Sequence, residues 1–147
     1  MSPGSPDEAF VRALPKTETH LHVEGCLPWE LLLEHFPEEF SGEPVFWADD
    51  YRYSSFEEFE RILIDHAIRW FTTPERYHEA AKVIFNRHLD QNVRYVETSF
   101  HAGIIELLNA SGEDILEAIL DAAPPGLEVR VFLGISRNAY TPVVGPV

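Results

Sequence analysis

Lys16-Thr-Glu-Thr-His-Leu-His-Val23 alternates in character, carries β-branched residues at Thr17, Thr19 and Val23, and lies between Pro15 and Gly25. Alternation with β-branched enrichment between such breakers predicts a strand. Val93-Arg-Tyr-Val-Glu-Thr-Ser-Phe100 and Leu127-Glu-Val-Arg-Val-Phe-Leu-Gly-Ile135 read the same way. No tight hairpin turn joins the three; helical patterns do. Phe56, Phe59, Leu63, Ala67 and Trp70 recur at spacings of three and four behind Ser54 and Ser55, each with a Glu three residues on, a capping-box signature. A second helix starts at Pro74, with Thr72 and Glu75 as its cap pair and Tyr77, Ala80, Ala81, Ile84, Phe85 and His88 on its buried face. Ser111 caps a third helix that runs to Ala122 and stops at Pro124-Pro125. Strands joined through helices lie parallel with the helices packed outside, which is an α/β architecture.

Outward from this frame the chain is plainer. Residues 1–10 read as a flexible tail running into a short helix, Asp7 to Leu14, and residues 11–147 as one structural segment. Pro28 is placed as the first residue of a helix to His35. Residues 37–54 hold two prolines and a glycine and read as a surface loop or short helix; Arg137 to Val147 reads as loop. Three parallel strands leave outer edges unpaired and a face uncovered. The pattern therefore predicts the opening portion of a larger α/β barrel or doubly wound sheet.

The 147 residues carry 11 Lys and Arg against 25 Asp and Glu, a formal net charge of -14. A surface of that sign opposes binding to phosphate backbones and to anionic membranes, so no nucleic-acid or membrane partner is expected. No apolar run approaches the roughly 18 residues of a membrane span. Cys26 is the single cysteine, which excludes an intrachain disulfide and suits a reducing, cytoplasmic setting. The segment from Met1 to Glu8 lacks the apolar stretch of a signal peptide.

Chemistry concentrates in Thr19-His-Leu-His-Val-Glu-Gly25. Residues i and i+2 of a strand share a face, so His20 and His22 project side by side. Two adjacent imidazoles supply two ligands of a zinc-like divalent ion, with other elements completing the shell. Seven histidines placed at random give about a third of one His-x-His per chain, so the spacing alone leaves two readings open: metal ligands, or buried imidazoles with hydrogen-bond partners. Glu24 continues the same face if the strand runs that far.

Leu14-Pro-Lys-Thr-Glu-Thr-His-Leu-His-Val-Glu-Gly-Cys-Leu27 closely resembles the opening strand of the adenosine/adenine deaminase family of the amidohydrolase superfamily. Phe56 to Phe71 is similar to that family's helix over the active-site mouth, Val93 to Phe100 to its second strand, and Gly134-Ile-Ser-Arg137 to the end of its third. The resemblance implies the N-terminal part of a (β/α)8 TIM-type barrel and a metal-dependent hydrolytic deamination of a 6-aminopurine. It implies one divalent ion, zinc first, on His20 and His22. It also implies a general-acid Glu, a water-activating His and further ligands on later strands. The sequence after Ile135 holds no His, Asp or Glu, and such a barrel needs at least roughly 200 residues, so those groups are expected beyond residue 147, on a second chain or a longer one, and the chain alone is expected to be inactive.

Glu24 stands where the family's adenosine deaminases carry a ribose-contacting Asp, and is the expected substrate-binding residue. The Glu form resembles the family's adenine deaminases and its enzymes of 6-amino-6-deoxyfutalosine, and Ser99-Phe-His-Ala-Gly-Ile104 resembles the latter, which ranks that substrate first, adenosine second and adenine third. His101 either lines the site or bonds to backbone. His66, His78 and His88 read as structural, Glu97 as a buried carboxylate paired with Arg137, and Cys26 as a packing residue. The competing readings are a catalytically inert fragment or pseudoenzyme serving as an interaction module, and a metal-binding sensor without turnover.

Overall fold

A computed structural model of the chain describes residues 6–48 and 50–135. Its centre is a three-stranded sheet of β1 (Lys16–His22), β2 (Val93–His101) and β3 (Glu128–Gly134), in that spatial order and parallel throughout. Val96, Thr98 and Phe100 of β2 turn one way and are buried; Tyr95, Glu97 and Ser99 turn the other way. Against the first face pack α4 (Pro74–Asp90) and α6 (Gly112–Asp121), which also pack on each other. Tyr77, Ala80, Ala81, Ile84 and Phe85 form the buried stripe of α4, with Ile115 and Ile119 opposite from α6. The opposite sheet face is polar and open, carrying His20, His22 and Arg130 as exposed side chains, with Phe132 the apolar exception at 54%. A parallel sheet covered on one side only is the unit expected of a barrel wall, whose second face looks inward.

The link from β1 to β2 is long. Ahead of α4 it holds a 3₁₀ turn at Glu24–Cys26, α2 (Trp29–His35), a second 3₁₀ turn at Val45–Trp47, and α3 (Phe56–Trp70). Trp29 anchors the irregular stretch: its ring meets Phe40 and Phe46 edge-on, and its indole N–H donates to the Gly42 carbonyl at 2.6 Å. α1 (Pro6–Ala13) is tied to the base of the sheet by Lys16, whose Nζ donates to the carbonyls of Leu14 and Gln91 at 2.9 and 2.8 Å.

Several boundaries differ from those expected. The first helix runs Pro6–Ala13, one residue earlier at each end than the expected Asp7 to Leu14. β1 stops at His22, because Val23 takes a helical backbone and starts the 3₁₀ turn. Pro28 is extended and precedes α2 rather than opening it. The cap of α4 is Thr73, whose hydroxyl accepts the Arg76 N–H, not Thr72. The apolar stripe of α3 is buried only in its second half: Ala67 and Trp70 are enclosed, while Phe56 is 70% exposed. A helix absent from the sequence reading, α5 (Ala102–Leu108), follows β2 directly. Arg137 to Val147, expected as loop, lies outside the described residues. No helix among the described residues is long and apolar enough to cross a membrane.

Candidate metal centre

His20 and His22 stand at the carboxyl end of β1, where a register shift interrupts its pairing with β2. Glu18 pairs with Val96 and Leu21 with Thr98, so Thr19 and His20 together face the single residue Glu97. Such a bulge leaves an extra residue without a ladder bond and re-aims side chains. The Glu18 carboxylate supplies the missing acceptor, taking the His20 N–H at 2.9 Å. Beyond the bulge the register is fixed by Thr98, buried, whose hydroxyl donates to the Leu21 carbonyl at 3.2 Å.

The two rings meet with centroids 5.1 Å apart and their Nε2 atoms 3.2 Å apart. Zinc–nitrogen bonds of about 2.0–2.1 Å at a tetrahedral angle place two ligand nitrogens about 3.3–3.4 Å apart. The Nε2 separation is close to that value. His22 Nδ1 lies 2.9 Å from the Ser99 hydroxyl on β2. Among the described residues no group of three or more His, Cys, Asp or Glu gathers in metal-holding geometry, so this part of the sequence brings two nitrogens and no further ligand.

Glu24 does not extend the histidine face. With β1 ended at His22, it enters the 3₁₀ turn and is buried at 4% exposure. Its Oε1 accepts from the Tyr77 phenol and from the His101 backbone N–H, both at 2.9 Å, binding the end of β1 to α4 and to the end of β2. Burial first, and then the Glu24 carboxylate, push the Tyr77 phenol well above its ordinary range, so it stays a donor.

His101 ends β2 and caps α5. Its Nδ1 accepts the Gly103 N–H at 3.1 Å, which places the proton of the neutral ring on Nε2. A Cβ at position 103 would stand 3.1 Å from the ring, so glycine leaves the imidazole its room. Cys26 is half-buried; burial first, and then Glu18, raise its thiol pKa against a backbone hydrogen bond at His22, which keeps it protonated and poorly nucleophilic. Three of the helix histidines meet backbone: His66 the Ile62 carbonyl at 2.7 Å, His88 that of Ile84 at 2.8 Å, His78 that of Ala118 at 3.2 Å. Glu97 takes a hydrogen bond from Tyr95 at 2.7 Å, and its cross-strand neighbour Arg130 pairs with Glu128.

Above the two imidazoles opens a cavity of about 640 Å³. His20, His22, Glu24, Cys26 and His101 line it together, Phe59, Leu63, Ile64 and Ala67 of α3 form an apolar wall, and Ile104 and Leu107 of α5 form another. A few polar groups at one end of an apolar hollow is the usual build of a small-molecule site. Sequence reasoning found the polar members and missed the α5 wall. It also missed Ser99, because only the register with β1 shows that this serine stands beside His22.

No family model matches the chain. A curated adenine deaminase of Gibberella zeae is 33% identical over 100 residues, which is 63% of this chain and 28% of that protein. Among solved structures, an adenine deaminase from Arthrobacter aurescens superposes with a TM-score of 0.66 at 19% identity, over 84% of this chain and 40% of that one. An amidohydrolase from Burkholderia ambifaria with bound Zn gives 0.62 at 19%, over 90% and 39%. An N6-methyl-AMP deaminase from Arabidopsis thaliana gives 0.60 at 22%, over 85% and 41%. The chain is thus related in sequence to an adenine deaminase over part of its length, and it has the fold of the corresponding section of these solved structures. It spans roughly two fifths or less of the proteins it matches.

Proposed function

We propose that this chain is the metal-binding opening of an aminohydrolase that converts a 6-aminopurine to its 6-oxo product and ammonia, with His20 and His22 as two ligands of one divalent ion, zinc first. The observation that carries the reading is the 3.2 Å approach of the two Nε2 atoms at the floor of an apolar cavity. Kinship with an adenine deaminase and the zinc held by a structural neighbour support it.

When bound, the ion supplies Lewis acidity that brings the pKa of a water toward neutrality. The chain's own residues do the rest of what is assigned here. His20 and His22 present lone pairs from a rigid strand end. Phe59 and Leu63 of α3, with Ile104 of α5, give the planar purine an apolar contact and keep bulk water off it. Glu24 holds two hydrogen bonds on Oε1, so its Oε2 is the atom offered to a donor on the substrate. A carboxylate there suits a sugar hydroxyl and places nucleosides first, an aminodeoxyfutalosine-like or adenosine-like substrate; the adenine deaminase relative keeps free adenine in the assay. The general acid and the remaining ligands come from further residues of the barrel, in the same or a partner chain.

The test uses the whole protein that carries this sequence. Zinc content and ammonia release from aminodeoxyfutalosine, adenosine and adenine are measured before and after His20→Ala. Loss of stoichiometric zinc and a fall in turnover of more than about 100-fold are expected, since removing even an outer-shell partner costs about 10- to 100-fold. Ammonia release that survives His20→Ala, or survives in metal-stripped protein, overturns the reading. Zinc binding without turnover on any 6-aminopurine leaves a sensor or an inert module instead.

A further inference from the structure

We infer that Ser99 is a positioning residue for the metal pair: its hydroxyl accepts the Nδ1 proton of His22, fixing the tautomer and ring angle that leave Nε2 free to ligate. The inference rests on the proposed metal-binding role of His20 and His22.

Three observations meet at this serine. Its Oγ lies 2.9 Å from His22 Nδ1. In the β1–β2 ladder Ser99 is the direct register partner of His22, so the two side chains rise from the same sheet face. Its backbone is held as well, for the Ser99 carbonyl accepts the Val23 N–H at 2.9 Å, immediately past His22. A hydroxyl one bond from Cβ spans that gap; alanine leaves it open, and threonine retains the hydroxyl with a methyl that the strand tolerates.

The consequence is a prearranged pair. With Nδ1–H committed to Ser99, His22 Nε2 is an acceptor, and at 3.2 Å it takes the Nε2–H of His20. An arriving cation then needs only a tautomer change at His20; His22 already presents its lone pair. Ligating histidines almost always give their second N–H to such a partner, and its removal weakens metal affinity by about 10- to 100-fold.

The experiment is a competition of Zn²⁺ against a chelating dye in the whole protein, for wild type, Ser99→Ala, Ser99→Thr and His20→Ala, with melting temperatures measured alongside. The expected result is an about 10- to 100-fold loss of zinc affinity in Ser99→Ala at little change in melting temperature, and near-wild-type affinity in Ser99→Thr. Wild-type affinity in Ser99→Ala overturns the role of Ser99 and leaves the metal pair standing. Affinity unchanged in His20→Ala overturns the metal pair, and this inference with it. If Ser99→Ala fails to fold, the ¹⁵N spectrum of His22 in the metal-free wild type decides. A protonated Nδ1 supports the inference, and an unprotonated Nδ1, with the serine as donor, overturns it.

Discussion

Glu24 and Tyr77 make the most consequential contact between side chains distant in sequence. Tyr77 is fully buried and Glu24 is 4% exposed, so the 2.9 Å bond between them operates where water offers no substitute. Tyr77→Phe removes one of the two donors on Glu24 Oε1, and hydrogen bonds to charged groups are worth about 1.5–3 kcal/mol. Urea denaturation of the variant is expected to show a loss of that order, whereas Glu24→Gln, which keeps an oxygen acceptor, loses less. The bond also has a pH signature. The phenol of an unfolded chain titrates near 10; the folded phenol keeps its proton to higher pH, so above 10 the folded state binds more protons. Stability is therefore complete below pH 10 and declines as pH rises past it. That decline is expected to be shallower in Tyr77→Phe, and an identical alkaline limb would show that the Tyr77–Glu24 bond does not stabilise the fold. At this scale, what sequence revealed depended on range. The shared face of His20 and His22 follows from strand period alone. The inward turn of Glu24 does not, because it needs the helical backbone at Val23. The place of Ser99 and the engagement of Glu24 need partners 77 and 53 residues away.

α3 walls the cavity, and its first turn is held by a capping device displaced outward by one residue. Ser55 accepts the Glu58 N–H at 3.2 Å, but the Glu58 carboxylate reaches past it to the N–H and hydroxyl of Ser54, each at 2.6 Å, and takes the Tyr51 phenol at 2.7 Å. The Ser54 hydroxyl, then its N–H, then Tyr51 hold the Glu58 carboxyl down to about 2. A depressed carboxyl supports the fold above its ordinary value near 4.5 and loses that support as pH falls toward 2. Amide exchange in the first turn of α3 is therefore expected to accelerate below pH 4.5 beyond its intrinsic pH dependence. Glu58→Gln should exchange faster at neutral pH and lack the acid transition. Exchange in Glu58→Gln that tracks wild type across the range would remove the cap from the account of the cavity wall. The serine–glutamate spacing announced this helix correctly; the outward displacement was beyond reach because it depends on Tyr51 in an irregular loop. Likewise Thr72 and Thr73 both precede Pro74, and backbone geometry alone chooses the second. α5 escaped because its seven residues span only about two turns, with Gly103 in the first, and its cap is a histidine.

The sheet as a whole has one apolar face sealed by α4 and α6 and one polar face bearing His20, His22, Glu97, Ser99 and Arg130. The parallel order was readable because no hairpin turn joins the strands. What fills the second face was not, since that depends on residues other than these. A barrel wall and a free-standing three-stranded module make opposite demands on β3. Along a parallel strand, alternate residues direct their N–H groups to opposite neighbours. β2 therefore satisfies only every second amide of the seven from Glu128 to Gly134, and the others need another strand or water. In the barrel reading a further parallel strand takes them, Phe132 loses its 54% exposure to the closed interior, and Glu97 and Arg130 become an inward polar layer beneath the metal pair. Amide exchange on the whole protein is expected to show all seven β3 amides protected to the level of β2, with no binding of a hydrophobic dye. Protection that alternates along β3, accompanied by dye binding, identifies an open edge and an apolar surface in contact with water. The deaminase reading would then fail at the level of architecture, even if His20 and His22 still held zinc, because a cavity open on that side cannot exclude water from a reacting purine.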